Sequence, residues 1–350
     1  MQINVSLSSA EEMIKILTKF SKGINIKREE IMNFLNQDEG CKMQFKFYED
    51  DINKDDYLDM LYAVVKESSY ETENFILKRM YEALKNIYSN LELLYKKLDN
   101  VKNFDFKGFE DRLVSTLPLD TKLKLNIFFC LDGYNGGSIV DDNTMCLDVL
   151  FWPSKKELEK NIEGVILHEF HHIGFLYWLK KNVRRNELVK NKDKISLAVN
   201  LVEGILSEGA AVYFFNKEQD LYELLLEGYG EELAKGFKGS YLESWNKLDE
   251  KISDFNNIML QLLDGTSDNY DLLDDATEKY FYMTKDEEAL NKVIGKYMCS
   301  VIEEVLGRQA LLDSFINLQK FLNYYNDACE KSEKQGLDKD MLYKWDKLWQ

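Results

Sequence analysis

The residues best able to carry chemistry in this sequence are its three histidines, which all lie between Leu167 and His172. His168 and His172 are four residues apart and Glu169 follows the first of them, which gives the pattern H-E-x-x-H. On a helix, two histidines at this spacing project from one face, one turn apart, and can bind one zinc ion. Glu169 lies about 100° round the helix from His168, where it can act as general base on a water molecule at the metal's open position. The spacing therefore predicts catalytic zinc chemistry.

The segment that carries the histidines, 162–177, is apolar on nearly every side, which predicts a buried helix. An unpaired imidazole or carboxylate there would cost roughly 1–3 kcal/mol, and metal coordination would remove that cost. The alternative is a chance H-E-x-x-H on an exposed or ion-paired helix. His171 lies off the line joining His168 and His172, so we expect it beside a ligand or at the surface rather than on the metal.

A catalytic zinc site needs a third protein ligand, and the sequence holds no further histidine. The ligand must be a carboxylate or, less readily, a thiolate. A second apolar segment, 195–215, offers Glu203 and Glu208. Glu208 shares its helical face with the small residues Gly204 and Ala211, which would let this helix approach the histidine helix closely. We predict Glu208 as the third ligand and Glu203 as a partner of a zinc-bound histidine or of a basic side chain, with the reverse assignment left open.

Several segments of the sequence resemble known metallopeptidases. The H-E-x-x-H motif, followed 36 residues later by Glu208-Gly209-Ala210-Ala211, is similar to the gluzincins, whose third ligand often lies in a helical E-G-x-A. With segments 295–298 and 302–308, the sequence more narrowly resembles a bacterial family described as putative zinc-dependent peptidases of unknown function. The resemblance implies a zinc peptidase and leaves its substrate open. Val212 stands where thermolysin-like relatives carry an aspartate, so the group that orients the first histidine must come from elsewhere.

Two further features are expected to complete the site. Segment 145–152 predicts a strand, and peptidases of this class resemble one another in placing an edge strand beside the zinc, where an extended substrate adds through main-chain hydrogen bonds. An ordinary core strand is the alternative. A tyrosine hydroxyl could stabilise the oxyanion. Tyr297 is the first candidate, followed by Tyr282 and Tyr213, although a structural role is the common one for a tyrosine in a chain that contains 20.

The elements that must position these residues are mostly helical, because only two prolines interrupt 350 residues. Apolar residues at spacings of three and four predict helices near 8–20, 28–36, 55–67 and 70–100. Segments 123–129 and 145–152 predict a small sheet that precedes the histidine helix.

These elements predict an α+β protein, mainly helical, with a small antiparallel or mixed sheet packed on a zincin-type active-site helix. The predicted regions are a helical N-terminal region at 1–115, a zincin-like core at 116–216 and a helical C-terminal region at 217–350.

Composition and charge limit the function classes. With 45% hydrophobic residues the chain can bury a sizeable core, which excludes a disordered protein. The 45 basic and 62 acidic residues give a net charge of −17, which repels nucleic acid and anionic lipid. We expect a cytoplasmic protein, because we find no run of 18 uncharged apolar residues and no secretion signal. The five cysteines form no C-x-x-C pair and are expected to be buried free thiols.

The sequence therefore predicts a zinc metallopeptidase with one Zn²⁺ per chain, acting on a peptide or protein, without nucleic-acid or membrane partners. Glu169 would deprotonate the water that attacks the peptide carbonyl and then pass the proton to the leaving amine. The alternatives are a metal-dependent hydrolase of another bond and a binding or regulatory protein that keeps the zinc helix as a scaffold. Glu169 favours catalysis, because a structural zinc site needs no acid beside an open position.

Overall fold

The computed structural model describes residues 2–264 and 289–350 except 107, 192, 217 and 230. Most of these residues are helical, and a small mixed sheet accompanies them, which confirms the predicted fold class. The chain divides into two compact units, Met1–Glu110 with Lys122–Glu169, and Asp111–Thr121 with Phe170–Gln350. The three regions predicted from the sequence were drawn where the pattern changes between helix and strand along the chain. They stay a prediction.

The sheet of the first unit corrects one prediction. Its strands are β1 (Gln2–Ser6), β2 (Lys124–Cys130), β3 (Gly137–Asp141) and β4 (Thr144–Asp148), in the order β1-β2-β4-β3. β4 pairs in parallel with β2 and antiparallel with β3, and all five of its residues are buried. The prediction of an edge strand over 145–152 is therefore wrong, because both edges of β4 are already hydrogen-bonded. It is an ordinary core strand that ends at Asp148.

Two buried carboxylates hold the loops that follow β2 and β4. The Asp148 carboxylate accepts the N–H groups of Asp132, Gly133 and Leu150 at 2.7–3.1 Å, and so ends the strand in a turn. The Asp132 carboxylate accepts the Tyr48 hydroxyl at 3.0 Å and two loop N–H groups at 2.9 Å. Burial raises the pKa of Asp148 to about 7, and the negative charge of Asp132 adds to this effect.

The helices of the first unit lie mostly where the apolar spacing predicts them. They are α1 (Ser8–Ser21), α2 (Arg28–Gln37), α3 (Glu39–Phe47), α4 (Lys54–Val65), α5 (Phe75–Tyr88) and α6 (Leu91–Asn103). The single helix predicted over 70–100 is two helices, because Asn90 leaves the helical conformation and its side chain accepts the N–H of Leu93 as the N-cap of α6. All five cysteines are buried and free, as predicted.

Helix α6 also fixes the loop that leads to the histidine helix. The buried Lys97 ammonium donates to the carbonyl of Leu150 at 3.0 Å and to that of Trp152. One turn further, the Asn100 amide donates to the carbonyls of Pro153 and Ser154 at 3.1 Å. A short 3-10 turn follows, and α8 (Glu159–Lys181) begins directly after it. Both α7 (Phe109–Val114) and α8 contain a boundary between the two units.

The second unit is helical in its described part. Its helices are α9 (Val183–Leu188), α10 (Lys194–Phe215), α11 (Glu218–Tyr229), α12 (Glu231–Asn246), α13 (Leu248–Asp264), α14 (Leu290–Leu306), α15 (Arg308–Ile316), α16 (Gln319–Ser332) and α17 (Lys339–Leu348). By length and composition α10 could cross a membrane. However, 67% of its most apolar 18-residue stretch is buried inside the protein, and the core helix of a soluble protein can have the same length and composition.

Two glycines bring α10 against α14. A Cβ atom on Gly295 would lie 2.1 Å from the Ile205 carbonyl oxygen and 2.6 Å from the Gly209 Cα. No side chain fits at that separation, so the backbones themselves are in contact. α10 begins with a capping box formed by Asp193 and Ser196, which fixes its first turn.

Candidate metal centre

The two histidines of the H-E-x-x-H motif lie on the middle turns of α8. The helix runs without interruption through 159–181, so the spacing of four residues places both imidazoles on one face, as predicted. His168 is 6% exposed and the His172 side chain is 12% exposed. Both rings are therefore largely removed from bulk water.

Helix α10 brings Glu208 to these histidines. The Oε1 atom of Glu208 lies 3.4 Å from the Nε2 atom of His172. One ligand atom from each of His168, His172 and Glu208 can be chosen so that all three lie within 4.8 Å of one another. In the part of the chain that the structure describes, this is the one group of three histidine, cysteine or acidic side chains with that geometry.

The donor set and the separation of His172 from Glu208 fit a zinc ion. Bond lengths of 2.0–2.2 Å in a tetrahedral site place neighbouring ligand atoms roughly 3.4 Å apart, which is the separation between His172 and Glu208. Two imidazole nitrogens and one carboxylate oxygen form the His₂Glu set of catalytic zinc sites. Such a set leaves a fourth position for water or substrate.

The second ring nitrogen of His172 also has a partner on α10. Its Nδ1 atom lies 2.8 Å from the Oγ atom of Ser207, the residue immediately before Glu208. The two nitrogens of one imidazole thus face two consecutive residues of the neighbouring helix. Ser207 was not among the residues predicted from the sequence, although a hydroxyl beside a predicted ligand on an apolar helix is a usable signal.

Glu203 is held by a basic side chain instead. Its two carboxylate oxygens accept a bidentate pair of hydrogen bonds from the guanidinium of Arg185 on α9. Glu203 is 7% exposed, and burial raises the pKa of its carboxyl, against the hydrogen bonds and charge of Arg185, which lower it. Of the two carboxylates of α10, the structure brings Glu208 to the histidines and Glu203 to an arginine.

The other two residues of the motif occupy different surroundings. Glu169 is half-buried and follows His168 on α8; its role as general base stays a prediction. His171 is fully buried, with its Nε2 atom 3.3 Å from the Thr116 carbonyl oxygen and its ring among three phenylalanines at 5.3–5.8 Å. His171 was expected beside a ligand or at the surface; its burial excludes the surface, because α8 is packed on this side as well, and a position beside a ligand stays a prediction. It is not part of the ligand group.

The predicted oxyanion residue faces other helices. The Tyr297 ring lies 6.3 Å from the rings of Trp245 and Tyr325. Tyr297 follows Gly295 by two residues, so it lies about 200° round α14 from the glycine that contacts α10. Burial raises its pKa. This placement gives the oxyanion assignment no support.

The two lower-ranked tyrosines add no support either. Tyr213 is half-buried near the end of α10, with its ring 5.3 Å from that of Phe214. Burial raises its pKa, and the charge of Glu303 adds to the effect. Tyr282 lies outside the described residues.

Comparison with protein families bears on this geometry. Residues 33–334 match the sequence model of a family described as "Putative zinc dependent peptidase (DUF5700)", which confirms the narrower resemblance drawn from the motifs. The match includes His168, His172 and Glu208. Comparison with proteins of curated function and with solved structures gives no match.

Proposed function

The chain belongs to the family of putative zinc dependent peptidases, and from this premise we propose that it hydrolyses peptide bonds at a zinc ion held by His168, His172 and Glu208. The observation that carries the proposal is the His₂Glu group, which combines zinc-like spacing with an acid, Glu169, beside its first histidine. When bound, zinc supplies a Lewis acid that polarises the peptide carbonyl and makes a water molecule more acidic.

The side chains divide the remaining work. His168 and His172 offer neutral nitrogen lone pairs and Glu208 offers a negatively charged oxygen, so the protein neutralises part of the charge of a divalent cation and leaves one position open. The Glu169 carboxylate takes a proton from the attacking water, whose oxygen forms the new bond to the carbonyl carbon. It then gives that proton to the leaving nitrogen as the C–N bond breaks. The products are a new carboxyl group and a new amine.

We also propose that the substrate is a peptide or protein and that the protein acts in the cytoplasm, without nucleic-acid or membrane partners. The net charge of −17 supports the last point, because a protein of that charge is repelled by phosphate backbones and anionic lipid headgroups. The burial of α10 supports its assignment as a core helix.

The test is metal content together with cleavage. The purified chain should carry about one zinc per molecule by elemental analysis, and it should cleave members of a mixed peptide library, identified by mass spectrometry. Cleavage should stop with a chelator and return on addition of zinc. A His172→Ala variant should lose both zinc and cleavage. A chain with full zinc occupancy that cleaves no peptide would favour the binding or regulatory alternative, and a folded chain that binds no zinc would overturn the proposal.

A further inference from the structure

We infer that Ser207 is the positioning residue of His172: its hydroxyl accepts a hydrogen bond from Nδ1–H and thereby holds the ring with Nε2 directed at the metal position. The inference rests on the proposed function for its metal and on the described side chains for its geometry. Ser207 would touch neither metal nor substrate, and would act through the histidine alone.

The geometry assigns a direction to each ring nitrogen. Nε2 of His172 faces Oε1 of Glu208 at 3.4 Å, and Nδ1 faces Oγ of Ser207 at 2.8 Å. A metal between His172 and Glu208 needs a lone pair on Nε2, so the ring proton must be on Nδ1. The serine oxygen lies where it can accept that proton's hydrogen bond. Ser207 can therefore accept from the tautomer that binds metal, and the contact disfavours rotation of the ring.

The orienting hydroxyl and the third ligand belong to one helix. α10 places the neutral hydroxyl of Ser207 one residue before Glu208 and beside the second histidine of the motif, His172. The aspartate that thermolysin-like relatives carry at the position of Val212 serves the first histidine, so Ser207 does not replace it. Because Ser207 and Glu208 are consecutive and α10 is fixed against α14 by the contact of Gly209 with Gly295, the orienting group and the ligand move as one rigid piece.

The first measurement is zinc affinity, obtained by competition with a chromophoric chelator. Groups that orient a metal-bound histidine typically contribute 10–100-fold to metal affinity, so Ser207→Ala should bind zinc roughly 10–100-fold more weakly than the unaltered chain. Ser207→Thr keeps the hydroxyl and should recover most of the affinity. Ser300→Ala is the matched control, because it removes a helix hydroxyl that donates only to the Tyr297 carbonyl; it should leave the affinity unchanged.

The second measurement reports on the ring itself. Nitrogen NMR of histidine-labelled, zinc-loaded protein reports on the ring, and we expect a hydrogen-bonded Nδ1–H at His172 in the unaltered chain and in Ser207→Thr. In zinc-loaded Ser207→Ala the Nδ1–H loses its acceptor, so its proton signal should move upfield and exchange faster with water. This readout would not move if the substitution only loosened the packing of α10, and thermal unfolding of each variant measures that loosening separately.

The outcomes separate this inference from the function on which it rests. If His172→Ala abolishes zinc binding while Ser207→Ala binds as tightly as the unaltered chain, the role of Ser207 is refuted and the metal centre stands. If Ser207→Thr binds as weakly as Ser207→Ala, the hydroxyl is not the active feature and the inference also falls. If the unaltered, folded chain binds no zinc, the proposed function and this inference fail together.

Discussion

Glu203 and Glu208 show how two identical side chains on one helix acquire different tasks. They are five residues apart on α10, so they project in directions about 140° apart. Glu208 meets His172, whereas Glu203 meets the guanidinium of Arg185. The residue type alone could not predict which glutamate lies beside a histidine and which lies beside an arginine. The two surroundings differ because the two faces of α10 contact different neighbouring elements.

The two carboxylates should therefore respond differently to truncation. Glu208→Ala should lose most bound zinc, because the site falls from three protein ligands to two and loses its charged oxygen. Glu203→Ala should keep its zinc but unfold more readily, because the guanidinium of Arg185 would remain partly buried without its carboxylate. Zinc content after dialysis and urea unfolding of the zinc-free proteins measure the two effects. Equal zinc retention would contradict the assignment, and loss of zinc only in Glu203→Ala would exchange the two roles.

Glu169 is assigned to proton transfer and not to metal binding, which makes a neutral isostere informative. Glu169→Gln should retain its fold and its zinc, since the amide has nearly the same size. A general base contributes typically 10²–10⁴-fold, so hydrolysis should fall by at least about 100-fold. The assay needs a peptide that the unaltered chain cleaves in a chelator-sensitive way. Cleavage at the unaltered rate by fully loaded Glu169→Gln would show that the mechanism is wrong.

At the scale of elements, the sequence predicts the long apolar helices well and the sheet less well. Apolar residues predict α10 over nearly its whole length, at 195–215, and the histidine helix over its central part, at 162–177. β1 is a five-residue edge strand whose partner lies 122 residues away, so no local signal marks it. β3 follows the turn-like segment 132–137 and is only half-buried. Neither strand could be predicted from apolar alternation.

Packing also decides which way Tyr297 faces, because the sequence does not tell which side of α14 contacts α10. The role of Tyr297 at the oxyanion stays a prediction. Gly295 allows backbone contact with α10, and that contact turns Tyr297 toward Trp245. The H-E-x-x-H histidines, in contrast, are positioned relative to each other by one helical turn, and this relation needs no tertiary information.

The contact between α10 and α14 gives a prediction of its own. Gly295→Ala would place a Cβ atom against backbone that cannot yield, so it should reduce the free energy of unfolding by about 1–3 kcal/mol and weaken zinc binding by displacing Glu208. Gly236→Ala is the control, because nothing lies within 4 Å of its added methyl on α12. That variant should be about 0.5–1 kcal/mol more stable, as alanine is the better helix former. Equal stability of the two variants would show that α10 and α14 can separate freely.

At the scale of the whole molecule, the fold must be stable although the chain has a net charge of −17 and buries acidic side chains. Asp132 and Asp148 are 5% and 4% exposed. Backbone N–H groups, Tyr48 and Gln44 donate hydrogen bonds to their carboxylate oxygens. Burial raises the pKa of both carboxyls. The first unit therefore contains a proton-binding pair whose state affects folding.

The raised pKa of Asp148 determines the direction in which the free energy of unfolding changes with pH. The pKa of Asp148 is about 7 in the folded chain against an ordinary value of 3.8, so the folded state binds the proton more tightly. The stability that this group contributes is fully present below about pH 4 and is lost as the pH rises through about 7, with a total effect on the order of a few kcal/mol. Asp148→Asn has no proton to lose and should flatten the dependence of the free energy of unfolding between about pH 5 and pH 8. Urea unfolding of the zinc-free protein at each pH, where the metal does not contribute, measures this dependence.

Asp141→Asn is the control. Hydrogen bonds and the charge of Lys46 outweigh burial and lower the pKa of Asp141. Asp141 therefore titrates below this pH window, and its substitution should not change the slope. A slope that is the same in all three proteins would mean that the Asp132 and Asp148 pair is already ionised at pH 5 and that its backbone donors outweigh its burial.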